Sequence, residues 1–343
     1  MEYRTLGGGG AAVSTYALGT MTFGVETDEA GSHDQLDVFL EAGGTLVDTA
    51  DVYGGDDPGA SEEIVGRWLD DRPSDVTDRV VLATKARFAT GADPNDVGLS
   101  RRHLDRALSA SLRRLQVETI DLYQVHAFDP VTPLEETLRF MDDAVRAGKV
   151  RYVGLSNFAG WQVQRAVDVA DRRGWPLPVT HQPQYNLLAR EVEWEVVPAC
   201  RANGVGLLPW SPLGGGWLTG KYTRDQRPTG ETRLGEDPGR GVEAYDTRSA
   251  SERTWAVVDV LQSVAEGRGV PMGRVALAWL HDRPAVSSVI LGARTTDQLR
   301  DNLAAAGLHL SDEETARLDA ASDPTPADYP YGRIGVDQRT RSL

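Results

Sequence analysis

Four residue types capable of proton chemistry each close a short apolar run. Asp48 and Tyr53 lie in LVDTADVYG (residues 46–54), Lys85 ends VVLATK (80–85), and His126 ends DLYQVH (121–126). An acid, a phenol, an amine and an imidazole at strand ends share one rim if those strands form a parallel barrel. A free tyrosine titrates near about 10, too high for efficient proton transfer at neutral pH. An ammonium at Lys85 would favour the phenolate and lower that pKa, with Asp48 holding the ammonium in place. His126 would donate to, or relay a proton toward, an oxygen bound beside Tyr53. A tuned phenol facing a carbonyl oxygen is what hydride transfer to C=O requires. Taken singly, Asp48 reads as a turn residue, Lys85 as a surface charge, and Tyr53 and His126 as core groups. Four such groups at corresponding strand ends favour a site.

The surrounding pattern supplies the strands. Apolar runs at 17–20, 45–47, 80–83, 120–125, 150–155, 179–182, 206–208 and 288–291 alternate with amphipathic segments. These fall at 29–42, 61–70, 100–115, 133–147, 160–173, 191–203 and 251–280. The alternation predicts one (β/α)8 TIM barrel domain over 1–343 rather than a doubly wound sheet. Residues 1–16 read as a hairpin turning at 7–10; GGGGAA fits a GxGxxA phosphate fingerprint, but no long strand precedes it and no helix follows. Thr132 to Glu135 and Ser311 to Glu314 fit the capping box. Irregular stretches at 86–98, 213–250 and 323–343 are expected on the C-terminal rim, the last as a lid or a disordered tail.

Composition narrows the function classes. A net charge of −15 argues against nucleic acid or an anionic membrane as partner. No apolar run reaches about 18 residues, so no membrane-spanning helix is expected. The N-terminus carries no visible secretory signal, and the single Cys200 fits a reducing cytoplasm. The six histidines are scattered without ligand-type spacing, so no metal site is expected.

The second half reads as a cofactor site. Ser156, Asn157 and Gln182 at strand ends suit a carboxamide, and Trp210 suits a flat ring. The small residues 211–216, with Lys221 beyond, let backbone N–H groups approach a pyrophosphate. Gly215 to Lys221 spells GxxxxGK, but Tyr222 stands where a P-loop has Ser or Thr, so nucleotide hydrolysis is disfavoured. Gly292 and Arg294 fall between a strand and a helix N-terminus. There Arg294 could pair bidentately with a 2′-phosphate, which favours NADP over NAD. Phe23, Phe88, Phe128 and Trp217 are candidate walls for an apolar or ring-bearing substrate, or simply loop packing.

ALGTMTFG, VDTADVYG, GASEEIVG, DLYQVH, VGLSNF, WSPLGGGWLTGKY and GARTTDQLRDN together resemble the aldo-keto reductase superfamily, over nearly the whole chain. The resemblance implies a (β/α)8 barrel that binds NADP(H) without a Rossmann domain and reduces aldehydes and ketones. It puts the catalytic tetrad on Asp48, Tyr53, Lys85 and His126, with Tyr53 as general acid. Gly19, Thr20 and Met21 would lie near the nicotinamide and its ribose, and Asp48 counts among the cofactor contacts too. Ser156, Asn157 and Gln182 would hold the carboxamide, and Trp210 would stack on the ring. Ser211, Pro212, Leu213, Gly214, Gly216, Leu218 and Lys221 would cover the pyrophosphate. Arg294, Gln298, Asp301 and Asn302 would hold the 2′-phosphate and adenine, with Gly292 where many members have lysine. The tryptophan and the GAR run resemble the bacterial and potassium-channel-β-like branch. Two other functions fit the same residues: oxidation of a sugar or secondary-metabolite alcohol, and a cofactor-sensing partner protein. Oligomeric state is left open.

Overall fold

The computed structural model describes residues 1–230, 232–239 and 241–340. Strands β1 (Tyr3–Thr5) and β2 (Ala12–Ser14) form the N-terminal antiparallel hairpin. Its turn lies against the barrel floor: Gly7 has φ 54°, and a Cβ there would sit 1.8 Å from the Val179 carbonyl oxygen. Only glycine fits so close an approach at that φ. The glycine run is therefore a floor turn and no phosphate loop.

Eight parallel strands follow: β3 (Tyr16–Gly19), β4 (Leu46–Asp48), β5 (Val81–Ala86), β6 (Ile120–Val125), β7 (Val150–Ser156), β8 (Thr180–Gln182), β9 (Gly206–Leu207) and β10 (Val289–Leu291). Their order is β10-β3-β4-β5-β6-β7-β8-β9. The two ends of that row meet. Leu207 N–H donates to Ala285 O (2.7 Å), Ser287 N–H to Leu207 O (2.9 Å) and Ile290 N–H to Pro209 O (3.0 Å). The expected (β/α)8 barrel thus closes.

Side chains alternate across each strand with period two. Ala17, Leu46, Ala83, Leu122, Leu208 and Ile290 form an apolar plug with Leu6 and Val13 from the hairpin. Two residues further along their strands, Asp48, Lys85 and Gln124 continue the faces of Leu46, Ala83 and Leu122. The interior is apolar at the floor and polar at the rim. The opposite strand faces, with Val47, Leu82, Tyr123 and Val125, pack under the helices.

Helices Glu29–Glu41, Ala60–Asp70, Arg101–Leu115, Leu134–Arg146 and Gly160–Arg173 fall where the periodicity places them. Two expected segments are split. Residues 191–203 become a 3-10 turn, Glu191–Glu193, and a helix, Val196–Ala202. Residues 251–280 become Glu252–Arg268 and Met272–His281, because Gly269 takes a left-handed cap (φ 65°) with Pro271 two residues on. The capping box at Ser311 forms. The one at Thr132 does not, since its hydroxyl donates to Asp129 Oδ2 at 2.7 Å.

The rim segment 213–250 folds into short turns around Trp217, which stacks on Tyr245 at 5.4 Å. Trp217 and Phe23 are fully buried, so they are packing groups and not pocket walls. In the tail, Tyr331 stacks on Trp194 at 5.5 Å, docking it on the loop after β8. Residues 341–343 of the expected tail segment lie outside the described residues. Among the described residues no helix is long and apolar enough to cross a membrane. Cys200 is buried, and that burial pushes its thiol up to about 12.

Candidate active site

Strands β4, β5 and β6 deliver three of the four proton-active groups, and the loop after β4 delivers the fourth. That loop is tied down at both ends. Tyr53 N–H donates to Ala50 O (3.1 Å), and Tyr53 O accepts from Gly59 N–H (3.0 Å) at the start of the next helix. Gly54 follows at φ 136°, where a Cβ would meet Asp57 O at 2.2 Å. The tyrosine is held by backbone.

Lys85 is the hub. Its fully buried Nζ donates to Asp48 Oδ2 (2.7 Å), Thr49 O (2.7 Å) and Tyr53 Oη (3.3 Å), so all three ammonium protons are used. Asp48 Oδ1 accepts from Gln182 Nε2 (3.0 Å) and Gln124 Nε2 (3.2 Å). Burial works against the ammonium, but Asp48 and then Tyr53 outweigh it and hold the Lys85 pKa above its usual value. Tyr53 departs from expectation. Burial raises its pKa, the pull of Lys85 only partly offsets that, and the Asp48 charge adds to the rise. The phenol is held protonated rather than tuned toward phenolate.

His126 sits edge-on to Tyr53, with ring centroids 5.8 Å apart, and Phe88 packs on its other side at 4.6 Å. Burial, with Lys85 and Arg87 nearby, keeps the imidazole well below its ordinary pKa and therefore neutral. Its Nδ1 is buried without a hydrogen-bond partner. The four residues expected to meet at one rim do meet. Gln124 was missed, although Leu122, Gln124 and His126 alternate on one strand face, which was the available signal.

Several expected cofactor contacts are occupied within the protein. Gln182 Nε2 is committed to Asp48, and Ser156 Oγ donates to Gln182 O at 2.8 Å. Asn157, at φ 54°, donates through Nδ2 to His126 O (2.9 Å) and accepts from Trp210 Nε1 (3.1 Å). Thr20 Oγ1 shares a hydrogen bond with Ser61 Oγ (2.8 Å), and Met21 is exposed. Gly19 has no room for a side chain, since a Cβ would meet Ile290 Cγ2 at 2.6 Å. A cleft of about 360 Å³ opens beside Asn157, walled by His181, Gln184, Glu191 and Val192; Tyr53 is not among its walls.

The stretch expected to carry phosphates is a sharp turn beside basic side chains. Ser211, Gly214, Gly215 and Gly216 all take positive φ, turning the backbone sharply around buried Pro212 and Leu218 beside Leu213. Lys221 folds back over this turn: a Cβ on Gly216 would lie 3.0 Å from its Nζ. Partial burial of its amine, with Arg294 and Arg233 near, holds its pKa below the usual value. Three cations therefore converge at the rim. Beyond them Gly292 faces open space. Arg294 donates its two terminal nitrogens to Glu236 Oε1 and Oε2, each at 2.8 Å, with Glu26 at 3.7 Å. Gln298 Oε1 accepts from Arg294 N–H (3.0 Å), Asp301 pairs with Arg274, and Asn302 Nδ2 donates to Gly292 O at 3.4 Å. Carboxylates on Arg294 were not foreseen, because Glu236 is 58 residues away in an irregular segment.

Comparison with known proteins shows the family. The model of the aldo/keto reductase family matches residues 16–323. The uncharacterized oxidoreductase YrpG of Bacillus subtilis is 38% identical, over 93% of this chain and 94% of its own. A probable voltage-gated potassium channel subunit beta of Arabidopsis thaliana is 37% identical, over 89% of this chain and 91% of its own. Versiconal hemiacetal acetate reductase of Aspergillus parasiticus is 34% identical, over 93% and 96%. With β4, β5 and β6 bringing Asp48, Tyr53, Lys85 and His126 to one barrel rim, the chain belongs to the aldo/keto reductase family of oxidoreductases.

Proposed function

We propose that this protein reduces aldehyde or ketone carbonyls to alcohols with NADPH, Tyr53 serving as general acid. The observation that carries the reading is Lys85 Nζ, fully buried and bonded at once to Asp48 Oδ2 and Tyr53 Oη. Holding a charged pair away from water is expensive unless the pair has a use or excellent geometry. Here its third member is a phenol, the natural donor to an oxygen that gains charge as a carbonyl is reduced.

The residues fit the cofactor. The positive-φ turn at 211–216 and the cations Lys221, Arg233 and Arg294 suit its phosphates, and Trp210 its flat ring. Bound there, NADPH supplies the hydride. Tyr53 then gives its proton to the substrate oxygen, and Lys85 stabilises the phenolate left behind. Neutral His126 orients the carbonyl by hydrogen bonding. A phenol held protonated favours reduction over alcohol oxidation, which would need the phenolate as base. A lone buried cysteine supports a place in the reducing cytoplasm. The partner in this reading is a small carbonyl compound.

The test is Tyr53→Phe. NADPH oxidation with a generic aldehyde should fall by at least about 100-fold, the order contributed by a positioned acid. NADPH should still quench tryptophan fluorescence with unchanged affinity. Retained turnover would sink the proposal.

A further inference from the structure

The opposite end of the barrel holds a second cluster, which the proposed reduction does not use. His281 ends the helix Met272–His281, Asp282 follows it, His309 lies near the chain's other late helices, and Glu2 precedes β1. His281 Nδ1 lies 2.8 Å from Asp282 Oδ1, and His309 Nδ1 lies 3.2 Å from both Asp282 oxygens. On the far side of the rings, Glu2 Oε1 is 3.1 Å from His309 Nε2, and Glu2 Oε2 is 3.5 Å from His281 Nε2. The four side chains thus form a closed ring in which every imidazole nitrogen faces a carboxylate.

That arrangement poses an electrostatic problem. A neutral imidazole has one N–H, so it can satisfy one carboxylate and must turn a lone pair toward the other. Glu2 spans the two Nε2 atoms, and in the tautomer that gives it both N–H groups the two Nδ1 lone pairs face Asp282. That tautomer sets acceptor against acceptor unless a cation lies between them; without one, His281 Nδ1–H can turn to Asp282 at 2.8 Å. Arg4 serves that ion-free state, its guanidinium being a donor beside His281 Nε2. Its Nη2 lies 3.3 and 3.4 Å from the two ring nitrogens of His281, nearly equidistant, while Nη1 is anchored on the carbonyls of His281 and Val286. Tyr16 stacks on the His281 ring at 5.5 Å. With neutral imidazoles the cluster of Glu2, Asp282 and Arg4 carries one net negative charge.

We propose that His281 Nδ1, Asp282 and His309 Nδ1 bind a divalent transition metal of the zinc type, with Glu2 orienting both imidazoles from behind. The three ligand atoms lie within 4.8 Å of one another. Ligands on a tetrahedral ion with bonds of about 2.05 Å stand about 3.3 Å apart, so only small side-chain shifts are needed. Outer carboxylates that accept the second N–H of ligating histidines are the usual support of such sites. His281 is buried, whereas Asp282 and His309 reach solvent, so the ion has an entry path and room for a water as fourth ligand. The site would clasp the N-terminal hairpin, through Glu2, to the helices that close the barrel. His281 and His309 are 28 positions apart, which is why spacing gave no hint of it.

The experiment is calorimetric titration of the full chain, after dialysis against a chelator, with zinc chloride and separately with magnesium chloride. Zinc should bind at one per chain and raise the melting temperature, while magnesium, which prefers oxygen ligands, should not bind. His309→Gln should weaken zinc binding by more than about tenfold, and Glu2→Gln by about 10- to 100-fold while leaving all three ligands in place. Aldehyde reduction in both variants should match the parent, because the cluster lies at the far end of the barrel from Tyr53. Absence of zinc uptake, or uptake unaffected by either substitution, would overturn the assignment.

Discussion

Arg294 and Glu236 meet in a two-pronged ion pair, both nitrogen–oxygen distances 2.8 Å, at the spot where a cofactor 2′-phosphate would need the guanidinium. In the proposed reading the carboxylate would stand in the place of that phosphate and repel it. Glu236 is partly exposed, so the pair is worth only about 0.2–1 kcal/mol. Glu236→Gln keeps the size of the side chain and removes the charge. Dissociation constants read from fluorescence should then fall by up to about fivefold for NADPH, the equivalent of the upper end of that energy, and stay unchanged for NADH. Equal tightening for both cofactors would place the 2′-phosphate elsewhere.

The Asp48–Lys85 pair should behave as a unit. Asp48→Asn strands a fully buried ammonium, and loss of one member of such a pair costs about 3–5 kcal/mol. Lys85→Met strands the carboxylate, which Gln124 and Gln182 only partly satisfy. The double variant removes both charges, so its loss in urea denaturation should be smaller than the sum of the single losses by at least about 1 kcal/mol. Strict additivity would mean that the two charges are not coupled in the folded protein.

The barrel and the tetrad were legible because they depend on local signals. Strand and helix periods differ, and alternation along a strand says which side chain ends up beside which. Leu46 and Asp48, or Leu122, Gln124 and His126, share faces for that reason alone. What was not legible depends on contacts between distant irregular segments. Glu236 reaching Arg294, Tyr331 reaching Trp194, and Glu2 reaching His281 and His309 leave no periodic trace. The sign of the Tyr53 shift was misjudged for a related reason. The charges of Lys85 and Asp48 are visible in sequence, but the depth of burial that outweighs Lys85 is not.

Asp51 is a buried acid whose carboxylate oxygens both lack a hydrogen-bond partner. Burial, and then the neighbouring Glu62, hold its pKa well above the usual carboxylate range. The unfolded chain ionises Asp51 near its ordinary value while the folded chain keeps the proton. Stability is therefore lost as pH rises from about 4 toward the folded pKa, at up to about 1.4 kcal/mol per pH unit. Asp51→Asn removes this loss. In urea denaturation at several pH values it should be more stable than the parent at neutral pH and show a flatter dependence. A variant less stable than the parent at neutral pH would show that the carboxylate is needed as an anion.

Tyr53 carries the last prediction, because the direction of its pKa shift bears on the pH dependence expected of the proposed reaction. Its ordinary value is near about 10, and burial moves it upward, so the phenol keeps its proton throughout pH 6–9. Carbonyl reduction should show no alkaline loss in kcat/KM across that range. Oxidation of an alcohol with NADP+ should instead rise with pH, since it consumes the phenolate. Asp48→Asn removes the anion that opposes Lys85, leaving the ammonium's pull on the phenol unbalanced. In that variant tyrosinate absorbance, taken as the difference from the same protein carrying Tyr53→Phe, should appear at lower pH than in the parent. An alkaline limb below about pH 8 in the parent would mean that Lys85 wins over burial after all, and that Tyr53 is poised as a base.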